Sequence, residues 1–431
     1  MALGGGTFVT QNKVLPGAYF QFISRATASA TLSDRGVVAI ALDMSWGADD
    51  AIITITASDF AKKSLEILGY DYSADEVKSI REIFLHANKI HLYKLTDGTK
   101  ASNDFATAVC KGSRGNDLKV VIQKNIDDAS KFDVMLYFGS VKVDSQTVAS
   151  AAELVSNAYV TYKTDATLVV TAGTPLSGGE TVASGGTSSA TSHQTFLDKM
   201  ESFTDTNVIA YIGTEETIKG LYVSFAKRLR DEIGIKLQAV VYGYAGDSIA
   251  CVNVKNSVDI VAWVAGVVAG TAINKSATNM LYDGEYDVNT DYTQSALEDA
   301  IRAGEFVLHS VNGEVRVLED VNSLVNTTDE MGDVFKDNQT VRVIDSIATS
   351  IASIFAKKYL GKVQNDASGR TSLWSDVIKI HQELAKINAI EGFEAEDIVV
   401  EEGDTKKSVK INGAIVVVNT MTKLYMTTVV A

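Results

Sequence analysis

Apolar and polar positions alternate with period two over the stretch Ser408 to Ala431. Val409 and Ile411 have polar neighbours, Ala414 to Val418 is continuously apolar, and Lys423, Tyr425, Thr427 and Val429 alternate with Leu424, Met426, Thr428 and Val430. A period of two predicts strands. The stretch closes without a proline or a charge, so its last strand is expected to present an open edge that invites pairing. A second such segment lies near the other end, where Gly4-Gly5-Gly6 and then Pro16-Gly17 precede the aromatic strand Ala18-Tyr19-Phe20-Gln21-Phe22-Ile23. Two adhesive arms on flexible tethers imply strand exchange between subunits.

Between the arms the pattern predicts α/β alternation. Gly36 to Leu42 and Ala51 to Thr56 read as strands, followed by a helix capped by Ser58, striped by Phe60, Ala61, Leu65 and Leu68, and stopped by Gly69. Ser73 and Glu76 have the spacing of a capping box for the next helix, through Val77, Ile80, Phe84 and Leu85, and Lys89 to Leu95 is a strand. From Thr96 the character changes to short strands between Gly, Asn and Asp turns: Leu118 to Ile122, Phe132 to Phe138, Val141 to Val143, Tyr159 to Tyr162 and Leu168 to Val170. That spacing predicts an inserted β-sandwich or barrel over 96–175, with the Gly/Ser/Thr-rich residues 176–192 as a mobile linker.

Beyond the linker the β/α alternation returns. Val208 to Ile212 is a strand, Thr214 caps a helix that stops at Gly234, Leu237 to Tyr244 is a buried strand, and the apolar run Ile260 to Ile273 around Trp263 reads as a buried helix. Asn312-Gly313, between Phe306 to Ser310 and Glu314 to Leu318, signals a tight hairpin. Two amphipathic helices follow, one carrying Ile344, Ile347, Ile351, Ile354 and Phe355 up to Gly361, the other starting near Thr371 with Leu373, Val377, Ile380, Leu384 and Ile387. Glu394 to Glu402 reads as a solvated acidic loop. The expected organisation is an N-terminal arm (1–23), an α/β core in two parts (24–95 and 193–407) interrupted by the all-β domain, and a C-terminal arm (408–431).

Charge narrows the function classes. Of 431 residues, 54 are Asp or Glu and 39 are Lys or Arg, a net charge of −15 that argues against a nucleic-acid footprint. Cys110 and Cys251 are isolated, which fits a reducing cytoplasm, and no signal peptide or membrane-length apolar run is apparent. His86, His91, His193, His309 and His381 are scattered without metal-ligand spacing, and phosphate-binding glycine motifs are missing, so no metal or cofactor is expected. Gly186-Thr187-Ser188-Ser189-Ala190, with His193 just beyond, resembles the nucleophile segment of subtilisin-like serine proteases. A serine needs a base and an orienting carboxylate, and the Asp-[Ser/Thr]-Gly and His-Gly-Thr-His segments that would supply them are lacking upstream. A subtilisin-type hydrolase using Ser188 is therefore the alternative reading, along with another self-assembling shell protein.

One ordered set of motifs carries a family resemblance. Leu15-Pro16-Gly17-Ala18-Tyr19, Gly112-Ser113-Arg114-Gly115-Asn116-Asp117, Thr171 to Gly179, Ala262-Trp263-Val264-Ala265-Gly266, Tyr282-Asp283-Gly284, Arg342-Val343-Ile344-Asp345, Tyr359 to Val363 and Lys423 to Thr427 together resemble the sheath protein of contractile phage tails and phage-tail-like bacteriocins of Gram-positive bacteria. The resemblance spans essentially the whole chain. It implies a structural, non-enzymatic subunit with a subtilisin-like α/β core, stacked as hexameric rings in a helical polymer around an inner tube protein, and bounded by baseplate and tail terminator proteins. It also implies assembly in the bacterial cytoplasm before release in a tail particle, without nucleic-acid binding or membrane insertion. The arm residues expected to pack between subunits are Pro16, Gly17, Tyr19, Phe20, Phe22 and Ile23, and Leu424, Tyr425, Met426, Val429 and Val430. Lys379 and Lys386, on the helix from Thr371, are candidate contacts to the tube.

Overall fold

A computed structural model describes residues 35–183 and 190–430 and divides into two compact units. The first draws on 39–84, 88–183 and 190–202, the second on 35–38, 85–87 and 203–430. The N-terminal arm, with all its named residues, and Ser188 lie outside the described residues.

In the first unit, β1 (Val37–Leu42) and β2 (Ile52–Thr56) lead into α1 (Ala57–Leu68), α2 (Lys78–Phe84) and β3 (Lys89–Lys94), with strand order β2–β3–β1. β2 and β3 run antiparallel. Thr56 rather than Ser58 caps α1: its hydroxyl accepts from the Asp59 amide at 3.1 Å while Asp59 Oδ2 accepts from the Thr56 amide at 3.3 Å. This reciprocal pair fills two orphan donors, which Ser58, inside the helix, cannot do. The expected Ser73 box does not form either, because the Ser73 hydroxyl donates to Asp71 Oδ1 at 2.6 Å and Ala74 opens the next turn.

The β-rich part comprises β4 (Asp97–Thr99), β5 (Ala106–Ala108), β6 (Leu118–Lys124), β7 (Phe132–Phe138), β8 (Val141–Val148), β9 (Val160–Tyr162), β10 (Thr171–Pro175) and β11 (Glu180–Val182). Four of these form an antiparallel sheet in the order β10–β6–β7–β8, and β5–β9 and β4–β11 form small pairs. Period two places Leu118, Val120, Ile122, Val134, Leu136 and Phe138 on one buried face, against Val148, Leu154, Val160 and Tyr162. The strand expected at Leu168 to Val170 is not formed: Val169 and Val170 are exposed, and β10 begins at Thr171. The first half of the expected linker is tied down, with Ser177 bridging to Ser102 and β11 pairing with β4. Its small residues allow close approach, since a Cβ on Gly179 would lie 2.7 Å from the Gly112 carbonyl oxygen. α3 (Ala190–Met200) completes the unit.

The second unit is built on parallel strands β12 (Val208–Tyr211), β13 (Gln238–Tyr242), β14 (Cys251–Val254) and β15 (Glu305–Phe306), paired in that order. α4 (Glu216–Arg228) starts after Glu215 without the side-chain cap expected from Thr214, and a π turn carries it to Gly234. α5 (Val261–Gly270) is buried from Val261 to Ala269, as an all-apolar helix must be. After α6 (Gln294–Arg302), β16 (Leu308–Val311) and β17 (Glu314–Val317) form the expected hairpin, with left-handed φ of 53° at Asn312 and 86° at Gly313.

α7 (Asn338–Ile354) and α8 (Ala367–Lys386) are the two long helices. α8 begins ahead of Thr371 because the Asp366 carboxylate accepts from the Gly369 amide at 2.7 Å. Four short strands follow: β18 (Ile390–Glu391), β19 (Ile398–Glu402), β20 (Val409–Gly413) and β21 (Val416–Val417). The expected acidic loop is thus largely strand. Ile398 and Val400 turn inward while Val399 and Glu401 face outward, a period-two pattern that the surrounding charge masks.

Candidate assembly surfaces

The C-terminal stretch folds in two parts. β20 pairs antiparallel with β19, and Ile398, Val400, Val409 and Ile411 pack on Leu373, Trp374, Val377 and Ile378 of α8. β21 pairs with β18 over a cluster containing Val343, Leu384, Ala389 and Ile390. The half of the predicted arm up to Val417 therefore lies on its own chain. Each ribbon has two strands among the described residues, so backbone donors and acceptors remain along the outer edges.

Beyond Val417 the chain leaves the body at a defined point. The Gln339 side chain donates from Nε2 to the Val418 carbonyl at 2.9 Å and accepts at Oε1 from the Thr420 amide at 3.1 Å. Asn419, between them, donates to Asp337 Oδ2 at 3.1 Å and to Thr340 Oγ1 at 3.2 Å. From Met421 to Val430 the chain has no regular structure and every residue is exposed. The candidate arm residues Leu424, Tyr425, Met426, Val429 and Val430 are 81–91% exposed. Five large apolar side chains in water within seven residues form a patch that a partner would desolvate.

Lys379 and Lys386 both lie exposed on α8. Lys379 Nζ is 3.5 Å from Asp376, a carboxylate that also receives Tyr359 Oη and Lys358 Nζ at 2.6 and 2.5 Å and is held below its ordinary range, chiefly by the bond from Lys358. Lys386 sits in the last turn, where it also complements the helix dipole.

The histidines occupy separate environments. His86 Nε2 meets Asp283 Oδ1 at 3.0 Å, His91 Nδ1 meets the Thr54 hydroxyl at 3.0 Å, and His381 stacks on Phe393. His193 is buried on α3, which pushes its imidazole down to about 4. Trp263 is fully buried, and its indole N–H donates to Asp283 at 2.8 Å. Among the described residues, no group of three His, Cys, Asp or Glu could hold a metal ion, and no helix is long and apolar enough to cross a membrane.

Sequence reading missed the polar residues of α7. Arg342 pairs with Asp320 at 2.6 Å, and Asp345 with Arg230 at 2.7 Å, all four buried. The available signal was charges at i and i+3 inside an otherwise apolar stripe, Arg342-Val343-Ile344-Asp345. Gln339 and Asn419 carried none, because a polar residue at a helix start or after a strand is ordinary.

The described residues thus join a mixed α/β body, a β-rich part and an exposed apolar tail, and comparison with known proteins assigns this combination to a family. Family models match at residues 35–95 (tail sheath protein Gp18 domain III N-terminal region), 96–181 (phage tail sheath protein beta-sandwich domain), 186–323 (phage tail sheath protein central domain) and 330–431 (phage tail sheath C-terminal domain). The phage-like element PBSX protein XkdK of Bacillus subtilis is 32% identical over 98% of this chain and 99% of its own. The crystal structure of a sheath tail protein from Desulfitobacterium hafniense superposes with a TM-score of 0.81 at 34% identity, covering 95% of this chain and 99% of that one. The helical sheath of the anti-feeding prophage in its contracted state shares the fold, with a TM-score of 0.54 at 13% identity over 96% of this chain and 99% of that one. The chain belongs to the phage tail sheath family.

Proposed function

We propose that this chain is the repeating subunit of a contractile tail sheath, stacked as hexameric rings around an inner tube and linked by strand addition from its two arms. The observation that carries the proposal is the exposed tail Met421 to Val430, rooted on the same body as two ribbons with open outer edges. A donated strand making 5–8 backbone hydrogen bonds gains roughly 0.5–1.5 kcal/mol net for each, with burial of alternate apolar side chains added. On this reading Leu424, Tyr425, Met426, Val429 and Val430, with Tyr19, Phe20, Phe22 and Ile23 of the other arm after the Pro16-Gly17 turn, pack on neighbouring subunits. Head-to-tail addition of this kind gives an open helical polymer.

Contraction is then a concerted change in how rigid bodies pack while the arms keep the lattice connected, from a metastable extended state to a lower-energy wider one. The work is stored during assembly on the tube, so no nucleotide or cofactor is required. Lys379 and Lys386 of α8 face an acidic tube surface in this arrangement, the β-rich domain faces away from the tube, and the α/β core is of subtilisin-like type. Assembly takes place in the bacterial cytoplasm, with baseplate and terminator proteins bounding the polymer. Negative-stain imaging of the purified chain, alone and with its cognate tube protein, tests the proposal: rings or tubes support it, and persistent monomers at high concentration argue against it.

A further inference from the structure

Resting on the strand-addition reading, we propose that Gln339 is the positioning residue of the C-terminal arm: with Asp337, Thr340 and Asn419 it clamps the arm's root and so fixes the direction and register in which the free strand is presented.

The geometry is that of one rung of a β-ladder made by a side chain. In an extended strand, the carbonyl of residue i and the amide of residue i+2 point to the same side, and the Gln339 amide engages that pair on Val418 and Thr420. Val418 is also held on its amide side, which donates to the Ala389 carbonyl at 3.0 Å. Asn419 is gripped through its side chain by Asp337 and Thr340. Three consecutive residues are thus pinned, and full exposure begins at the next one, Met421.

The clamp stands on a rigid base. Asp337 caps α7 by accepting from the Gln339 amide at 2.6 Å, and the neighbouring Asn338 side chain donates to Asp320 Oδ1 at 3.1 Å and to the Val321 carbonyl at 3.0 Å while accepting from Gln238 at 2.9 Å. Gln339 and Thr340 are 1% and 2% exposed. Burying a polar amide costs free energy unless both its ends are bonded, and here both bonds go to the backbone of a segment that leaves the body immediately after Thr420. An apolar side chain would fill the same space without defining where that segment goes.

Register is what such a clamp secures. Strand side chains alternate, so a slip of one residue exchanges the Leu424, Met426 and Val430 face for the Tyr425 and Val429 face. A free tail would sample both phases. A tail whose backbone phase is set at Val418 and Thr420 presents one.

The test uses the full chain and compares wild type, Gln339→Leu, Asn419→Ala and a truncation after Thr420. Gln339→Leu is expected to keep the wild-type circular dichroism spectrum, to raise the concentration needed for assembly by about tenfold, the loss expected from about two hydrogen bonds, and to give tubes of irregular diameter. Asn419→Ala should act in the same direction but more weakly. In the truncated chain, a folded monomer on this reading, Gln339→Leu should move the unfolding midpoint only slightly, and a small stability change beside a large assembly change in the full chain separates positioning of the arm from general stability. Should Gln339→Leu fail to fold, Asn419→Ala and amide exchange at Thr420, slow in wild type and fast in the variant, carry the test. Ordered wild-type-like tubes from folded Gln339→Leu, while the truncation abolishes assembly, would overturn the clamp alone. If the truncated chain assembles as well as wild type, the strand-addition reading fails and the clamp's role falls with it.

Discussion

Arg230 and Asp345, 115 residues apart in sequence, meet as a two-pronged pair with Nη1–Oδ2 at 2.8 Å and Nη2–Oδ1 at 2.7 Å. Their side chains are 4% and 8% exposed, and Arg342, one turn back on α7, makes a second buried pair with Asp320. Opposite charge offsets the cost of burial in both pairs, and at Arg230 a parallel fork satisfies both carboxylate oxygens at once, whereas Arg342 bonds through Nη2 and its Nε and Nη1 are buried without a hydrogen-bond partner among the described residues.

Removing one partner strands the other. Asp345→Ala is expected to cost about 3–5 kcal/mol, whereas Arg230→Met combined with Asp345→Leu should cost far less, because no uncompensated charge remains. Guanidinium unfolding of the three variants checks this. Equal losses in the single and double variants would show that packing, not charge, is what the pair supplies.

Gly112 opens the Gly112-Ser113-Arg114-Gly115-Asn116-Asp117 motif at φ 130°, and a Cβ there would lie 2.1 Å from the Ser45 carbonyl oxygen. Gly112→Ala should therefore cost at least about 2 kcal/mol, combining backbone strain with a clash against main chain. Gly178 is also left-handed, at φ 76°, but a Cβ would meet nothing within 4 Å, so Gly178→Ala should cost about 1 kcal/mol. Thermal unfolding ranks the two, and the reverse order would contradict the geometry.

Burial holds the His193 imidazole at about 4, below its ordinary 6.5. The unfolded chain binds more protons between those values, so the stability that neutral His193 contributes is complete above pH 6.5 and is lost as pH falls toward 4. His193→Gln should flatten the fall in unfolding midpoint between pH 6.5 and 4.5. Parallel profiles for the two proteins would remove His193 from the acid response.

Lys379→Glu sets a like charge beside Asp376 and Lys386→Glu opposes the dipole of α8, so each should lower the unfolding midpoint only slightly, a loss of about 1 kcal/mol or less. If α8 faces an acidic tube, both should weaken co-sedimentation with the tube protein, most clearly at low salt. Unaltered co-sedimentation would move the tube contact elsewhere.

Local chemistry that is self-contained was legible in the sequence. Asn312-Gly313 can form one kind of tight turn, Gly69 and Gly234 end helices for want of a Cβ, and a helix as apolar as Val261 to Ala269 has to be buried. Competition between neighbours was harder to read: Thr56 and Ser58 are both good caps, and the outcome turned on where Asp59 could reach back. Long-range pairing was hardest. Nothing local separates the segment that pairs with β19 from the part that stays free, because both alternate with the same period, and the continuous apolar run Ala414 to Val418 does not name β18 as its partner. The Gln339 contacts to Val418 and Thr420 join residues about eighty apart, beyond any pattern along the chain.

The central claim is tested most directly by sedimentation and negative-stain imaging of the full chain beside chains lacking residues 1–23 or 421–431. The second cut falls after Thr420 so that β20, β21 and the Gln339 contacts are retained and the body stays folded. Tubes from the full chain, with folded monomers from either truncation, are the expected result. Tubes of equal number and order from the truncated chains would contradict strand addition and place the polymer contacts on the body itself.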